Sequence, residues 1–226
     1  MTSRPYPQST VAVRDAATVV VLRDDGGALE VLLLRRHHGH VFGAEADVFP
    51  GGAVDAADIE LTRAAGLPDG AARMAGLREC FEEAGLLFAA PAIDAGLSSA
   101  WRAELNGGRR DWAGVIAALG LRLDLSAPLA FASWTTPPGR PRRYATRFYA
   151  MAAPAGQTAI ADGRETVAAE WVRPKTALAQ ADAGERWLMT PTRATLERLT
   201  YYGDTASALA GLAWGNKHDG FQRAHR

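Results

Sequence analysis

The sequence predicts a mixed α+β domain. Apolar strand-like runs come first, helix-like stretches follow, and strand-like runs then return before a largely helical C-terminal part, an order typical of α+β architecture. A chain of 226 residues, 48% of them hydrophobic, is long enough to bury one substantial core with additional elements around it.

Each element can be justified in turn. Residues 1–14 are polar and contain prolines, and read as a flexible tail. ATVVVLRD (17–24) and LEVLLLRR (29–36) are strand-like, and the DGGA between them signals a hairpin with a loop longer than the favoured two residues. DVFPGGAV (47–54) is a short extended piece broken by Gly51-Gly52. LPDGAARMAGLRECFEEAG (67–85) reads as a helix, with Asp69 as its cap and Gly85 as a left-handed stop. LLFAA (86–90) looks like a strand, and 92–120 looks helical with an NGG interruption at 106–108. APLAFASW (127–134) and RYATRFYAMAA (143–153) flank the turn TPPGRPRR, and VAAEWV (167–172) is another strand. From Pro174 the chain is mostly helical, including PTRATLERLTYY (191–202). The expected organisation is a domain over 15–175 with a helical insertion at about 92–120, and a helical extension over 176–226 packed on it.

Composition narrows the partners. Twenty-five basic residues balance 25 acidic ones, so no net field draws the protein to nucleic acid or to an anionic membrane. Cys80 is the single cysteine and cannot form an internal disulfide, which points to a reducing compartment. The N-terminal residues lack the apolar core of a signal peptide, and TVVVL is far too short to span a bilayer. The C-terminal AHR is not a Ser-Lys-Leu type address. A cytoplasmic location is expected.

The stretch GLRECFEEAGLL (76–87) carries the chemistry. Glu79, Glu82 and Glu83 share one helical face, where like charges four residues apart cost an exposed helix about 0.2–0.5 kcal/mol. With Arg78 and Gly85 they spell R-E-x-x-E-E-x-G, a string that chance would place in about 10⁻⁴ of chains this long. Upstream stand Gly51-Gly52 and, six residues beyond Gly52, Asp58. Together these residues resemble the Nudix box, G-x5-E-x7-R-E-U-x-E-E-x-G-U, where U is aliphatic. Asp58 stands at the family's first Glu, and 19 residues (59–77) separate it from Arg78 where the family has seven. Closure entropy grows only logarithmically with loop length, so the extra residues can loop out at small cost, with 59–68 as a surface excursion.

That resemblance implies a Nudix fold, a mixed β-sheet sandwiched between helices. It implies a diphosphate hydrolase using Mg²⁺ or Mn²⁺, hard cations that take carboxylate oxygens. Glu82 and Glu83 would be ligands, and Glu79 a further ligand or water-positioning group. Arg78 would orient a box carboxylate, with Asp58 as partner, and Gly52 would let the loop backbone approach the helix. A family base often precedes a tryptophan on a later strand; Glu165, six residues before Trp171, fits, and Glu170 competes. The catalytic set is then Arg78, Glu79, Glu82 and Glu165.

For substrate binding the candidates are Gly51, Gly52, Arg35 and Arg36 at the end of the second strand, and Arg143 and Arg147, four apart and so on one strand face. The tight RRHHGH cluster (His37, His38, His40) has no accompanying cysteine and reads as a loop. DVFPGGAVDAAD, the interrupted box and SWTTPPGRPRRYATRFYA are similar to the coenzyme A diphosphatase type of Nudix protein. In the coenzyme A signature before F-P-G-G, Leu32 and Leu33 fit, whereas Leu34, His37, His40, Val41 and Glu45 stand at its Thr, Ser, Leu, Arg and Gly positions. The leading substrate is therefore coenzyme A or an acyl-CoA. Nucleotide sugars, dinucleotides or damaged nucleotides are the alternatives, as is a non-catalytic ligand-sensing module. The expected partner is a small diphosphate; a homodimer is compatible with the sequence.

Overall fold

Strand β1 (Val13–Asp25) and strand β2 (Ala28–Arg36) are apolar at successive positions because the sheet is covered on both faces. Val19, Val21, Leu32 and Leu34 are buried in one layer, and Val20, Leu22, Val31 and Leu33 in the other. The computed structural model describes residues 11–39 and 44–218; the expected tail up to residue 10, His40 and Val41, and residues 219–226 lie outside the described residues. The first strand starts at Val13, inside the stretch read as tail. The β1–β2 hairpin is tighter than its sequence suggested. Asp25 pairs with Ala28, leaving only Gly26 (φ +55°) and Gly27 (φ +74°) as the loop, a conformation glycine adopts without strain.

The sheet is completed by β3 (Asp47–Val48), β4 (Gly51–Ala53), β5 (Leu129–Thr135), β6 (Arg143–Ala152) and β7 (Thr166–Val172). Its order is β3-β2-β1-β6-β5, with β4 paired to β1 and β7 paired to β2. The β1–β6 pairing is parallel and the others are antiparallel, so the sheet is mixed. Helix α2 (Gly70–Ala84) covers the face carrying Ala17, Val19, Tyr149 and Met151. Helices α5 (Pro174–Asp182), α6 (Thr190–Leu199) and α7 (Thr205–His218) cover the other face through Ala177, Leu196, Leu199, Ala208 and Leu212. Among the described residues no helix is long and apolar enough to cross a membrane.

Helix α2 begins after Asp69 and ends at Gly85 (φ +71°), as the sequence signals indicate. Asp69 does not cap the helix amides, however; its carboxylate binds Arg73 Nε (2.9 Å) and accepts from the Tyr149 hydroxyl (3.1 Å). The residues between the glycine pair and α2 form their own helix, α1 (Ala56–Thr62), followed by a 3₁₀ turn and Gly66 at φ +62°. This excursion is not loose, since Asp58 and Thr62 are buried against α2 and the Thr62 hydroxyl donates to Asp58 O (2.7 Å). LLFAA does not form the expected strand. Leu86 and Leu87 are buried under α2, the Leu87 amide and carbonyl are satisfied by the Gln157 side chain (2.7 and 2.9 Å), and only Ala90 makes a bridge, to Arg122.

Helices α3 (Ala95–Asn106) and α4 (Trp112–Leu119) start on side-chain caps, Asp94 to the Gly96 amide (2.8 Å) and Asp111 to the Gly114 amide (2.7 Å). They form a separate cluster on the outer side of α2, where Trp112 meets Phe81 (ring centroids 5.6 Å apart) and its indole N–H points at Met74 Sδ (3.2 Å). Helix α2 is therefore clamped between the sheet and the insertion. Trp112→Ala should destabilise the protein by about 3–5 kcal/mol, as large core truncations do. Denaturant unfolding measures this, and a loss below about 1 kcal/mol would mean that the insertion does not hold α2.

Candidate active site

The three glutamates of α2 stand where the helix passes over β4. Gly51 N donates to Glu83 Oε2 (3.0 Å). A Cβ at Gly52 would overlap the Glu79 carboxylate, and one at Gly51 would overlap Ala17 O on β1. The glycine pair thus lets the β4 backbone lie directly against both carboxylates. Gly51 and Gly52, expected among the substrate contacts, here touch the glutamates of the helix.

Arg78 ties the site together. Its Nε and Nη2 grip Asp58 in a two-point pair (3.2 and 3.0 Å), Nη2 also reaches Ala53 O (3.0 Å), and Nη1 donates to Glu79 Oε1 (2.9 Å) and Glu82 Oε2 (3.0 Å). A guanidinium has five N–H groups, and five acceptors are present. Asp58, fully buried, also accepts from the Asp55 amide (2.9 Å). The 19-residue separation is therefore bridged in space: α1 brings Asp58 back to Arg78.

The last turn of α2 anchors the surrounding loops. Helix C-terminal carbonyls lack partners within the helix. Glu82 O accepts from Arg102 Nε (3.0 Å) and Asn106 Nδ2 (2.9 Å), Glu83 O from Thr166 Oγ1 (3.1 Å), and Ala84 O from the Ile160 amide (2.9 Å). This brings α3 and the β6–β7 loop to the carboxylates. Between them lies an open cavity of about 450 Å³ lined by Glu79, Glu82, Glu83, Asn106, Asp162, Arg164 and Glu165, among others. The guanidinium of Arg164 closes onto Asn106 O. Asn106, Asp162, Arg164 and Thr166 were not singled out from sequence; the Asp162-Gly163 pair is a turn signal that could have drawn attention to this loop.

Burial and crowding set the electrostatics. Burial pushes the Glu79 carboxyl up to about 8, against the pull of Arg78 and with help from Glu82 and Glu165. Burial also raises Glu82, against Arg78, and raises Glu83 well above the carboxylate range, with Glu79 adding to it. For Arg78, burial works against the charge, but Glu79, Asp58 and Glu82 together hold the guanidinium charged, above its ordinary value.

The arginines separate. A bulge between Arg35 and Arg36 interrupts the β2–β7 pairing. Arg36 is close enough for its charge to lower Glu83. Arg35 instead pairs with Asp47 (3.2 Å) in a recess with Leu33, Ala168 and Glu170, away from the α2 carboxylates. Arg35 continues the Leu33 face of β2, which α2 does not cover. Glu170 is ion-paired with Arg186 (2.6 Å) in the same region. Arg143 and Arg147 share the α2-facing side of β6 with Tyr149 but do not line the cavity.

The donor set suits a hard divalent cation. Each α2 carboxylate has one oxygen tied to Arg78 or to the Gly51 amide and the other outside those bonds, and one buried and two partly buried acidic groups side by side favour a bound positive charge. Among the described residues no three His, Cys, Asp or Glu side chains are already closed around a metal-binding point.

Comparison with known proteins places the fold in a family. The model of the NUDT19 Nudix domain family matches residues 60–199, more than half of the chain. A NUDIX hydrolase from Alicyclobacillus acidocaldarius superposes with a TM-score of 0.80 at 30% identity, over 89% of this chain and 97% of that one. The MutT protein from Methanosarcina mazei Go1 shares the fold at 15% identity, with a TM-score of 0.51 over 85% of this chain and 96% of that one. The chain belongs to the Nudix hydrolase family. It is a diphosphate hydrolase, and enzymes of this family generally use divalent metal ions.

Removing one partner of a buried ion pair leaves the other charge uncompensated. Asp58→Ala should therefore cost about 3–5 kcal/mol of stability, measured by denaturant unfolding. A change below about 1 kcal/mol would show that Arg78 is held well enough by its remaining acceptors.

Proposed function

We propose that the protein hydrolyses coenzyme A or an acyl-CoA at the diphosphate, releasing 3′,5′-ADP and a 4′-phosphopantetheine product. The observation that carries the hydrolytic reading is the gathering of Glu79, Glu82, Glu83 and Glu165 around one cavity. Glu82 and Glu83 would hold Mg²⁺ or Mn²⁺, with Glu79 a further ligand or the group that orients water. A cation held there would supply charge neutralisation at the bridging phosphates and polarise the phosphorus toward attack. Arg78 keeps Glu79 and Glu82 aimed by tying one oxygen of each. Glu165 accepts a proton from the attacking water. Water adds to one phosphorus, the bond to the bridging oxygen breaks, and the departing phosphate keeps that oxygen.

The coenzyme A part rests on the interrupted box and on the arginine-rich β5–β6 hairpin. From Leu125 to Ala161 there is no acidic residue, while Arg140, Arg142, Arg143 and Arg147 lie within it. Arg147 pairs in register with Ala17, which pairs with Gly52, so Arg147 stands two strand spacings, about 10 Å, from the carboxylate platform. It is exposed and on the same side of the sheet as α2. That placement suits a guanidinium that grips a phosphate remote from the scissile bond, and the 3′-phosphate of coenzyme A is such a group. Arg143 and Arg36 are further phosphate contacts in this reading.

The test is hydrolysis of coenzyme A, acetyl-CoA, ADP-ribose and a nucleotide sugar with Mg²⁺ or Mn²⁺, the products identified by mass. Coenzyme A should yield 3′,5′-ADP, and Glu82→Gln or Glu83→Gln should lower kcat at least about 100-fold, since even groups that only orient a metal ligand are worth about 10–100-fold. Arg147→Ala should raise KM for coenzyme A more than for its 3′-dephospho form. Efficient turnover of ADP-ribose or a nucleotide sugar with coenzyme A untouched would remove the coenzyme A reading and leave the hydrolase.

A further inference from the structure

The β6–β7 loop contains a turn built on one carboxylate. Asp162 Oδ1 accepts from the amides of Arg164 (3.2 Å), Glu165 (3.1 Å) and Thr166 (2.8 Å) and lies 2.9 Å from the Thr166 hydroxyl. Its Oδ2 lies 3.1 Å from the Glu165 amide. Gly163, at φ +76°, closes the turn by donating to Thr166 O (2.8 Å). On its other side Glu165 is held through its carbonyl, which accepts from the His37 amide at the end of β2 (2.9 Å). The Glu165 backbone is thus fixed at both its N–H and its C=O.

The turn is also fastened to the carboxylate helix. Thr166 is buried, and its hydroxyl lies 3.1 Å from the carbonyl of Glu83 and 2.9 Å from Asp162 Oδ1. A hydroxyl carries one proton, so it donates to one of these acceptors at a time and links them. The Thr166 amide donates to Asp162 Oδ1 (2.8 Å) in any case, so when the hydroxyl donates to Glu83 O the residue joins Asp162 to Glu83 by two hydrogen bonds. It fixes the distance between the loop that carries Glu165 and the last turn of α2.

We propose that Asp162 is a positioning residue for the hydrolytic reaction, presenting Glu165 to the α2 carboxylates through this turn. The proposal rests on the role given above to Glu165 as proton acceptor. The donors of its own turn converge on Asp162 Oδ1, so the carboxylate acts through the backbone of its neighbour. Hydrogen bonds from three successive amides also hold it ionised, below the ordinary carboxylate range, even though burial works the other way. A base within hydrogen-bond reach of a water must be held closely, and a loop supplies that only when its backbone is fixed.

A double-mutant cycle separates positioning from mere structural support. Asp162→Ala should lower kcat about 10–100-fold with little change in KM, and Asp162→Asn, which keeps the Oδ1 acceptor, should recover most of the loss. In a Glu165→Gln background, Asp162→Ala should cause no further loss, because the group it positions is already gone. Equal losses in both backgrounds, or unchanged kcat in Asp162→Ala, would overturn the proposal while leaving Glu165 as the base. Full activity of Glu165→Gln alone would overturn both. If Asp162→Ala does not fold, Thr166→Val against Thr166→Ser carries the same cycle, with the serine variant expected to retain activity and equal activity of the two counting against the proposal.

Discussion

The guanidinium of Arg78 is the constraint on which the site depends. Its five N–H groups are divided among Asp58 on α1, Ala53 O on β4, and Glu79 and Glu82 on α2. A buried cation with fewer acceptors would carry a desolvation cost that a single pair rarely offsets. Here the surplus of carboxylates keeps the arginine charged, and the arginine in turn keeps two carboxylates aimed. The same residue explains why the long insertion between Asp58 and Arg78 is tolerated. What matters is where the Asp58 oxygens end up, and α1 returns them to the guanidinium.

A second constraint follows from helix geometry. The carbonyls of Glu82, Glu83 and Ala84 have no acceptor role inside α2, and each is taken by a different neighbour: α3, Thr166 and Ile160. The helix that supplies the carboxylates therefore also supplies the attachment points for the walls of the cavity. The insertion helices and the β6–β7 loop are positioned relative to the glutamates by bonds only a residue or two away. A site assembled this way keeps its geometry without relying on long, flexible contacts.

The legible parts of the molecule were those with local causes. Gly85 stops α2 because a left-handed residue is needed there, and the box glutamates share a face because of helix periodicity. The apolar run holding Val20 and Val21 was legible as a strand, and its residues pack alternately into the two core layers. What stayed hidden depends on contacts far apart in sequence. LLFAA has strand composition, but Gln157, seventy residues after Leu87, satisfies its backbone instead of a strand neighbour. Arg35 and Arg36 are adjacent in sequence, and a bulge interrupts their pairing with β7; which of them lies near Glu83 is a matter of that local geometry. Asp162 was not singled out, since nothing local reveals that its turn is tied to Glu83 O through Thr166.

The central claim is that the carboxylates of α2 form a divalent-cation platform, and direct Mn²⁺ titration followed by electron paramagnetic resonance tests it without any substrate. The account predicts that the wild-type protein removes free Mn²⁺ signal stoichiometrically and that a Glu79→Gln/Glu83→Gln variant, folded by circular dichroism, leaves it free at the same concentrations. Equal Mn²⁺ binding by the two proteins would contradict it.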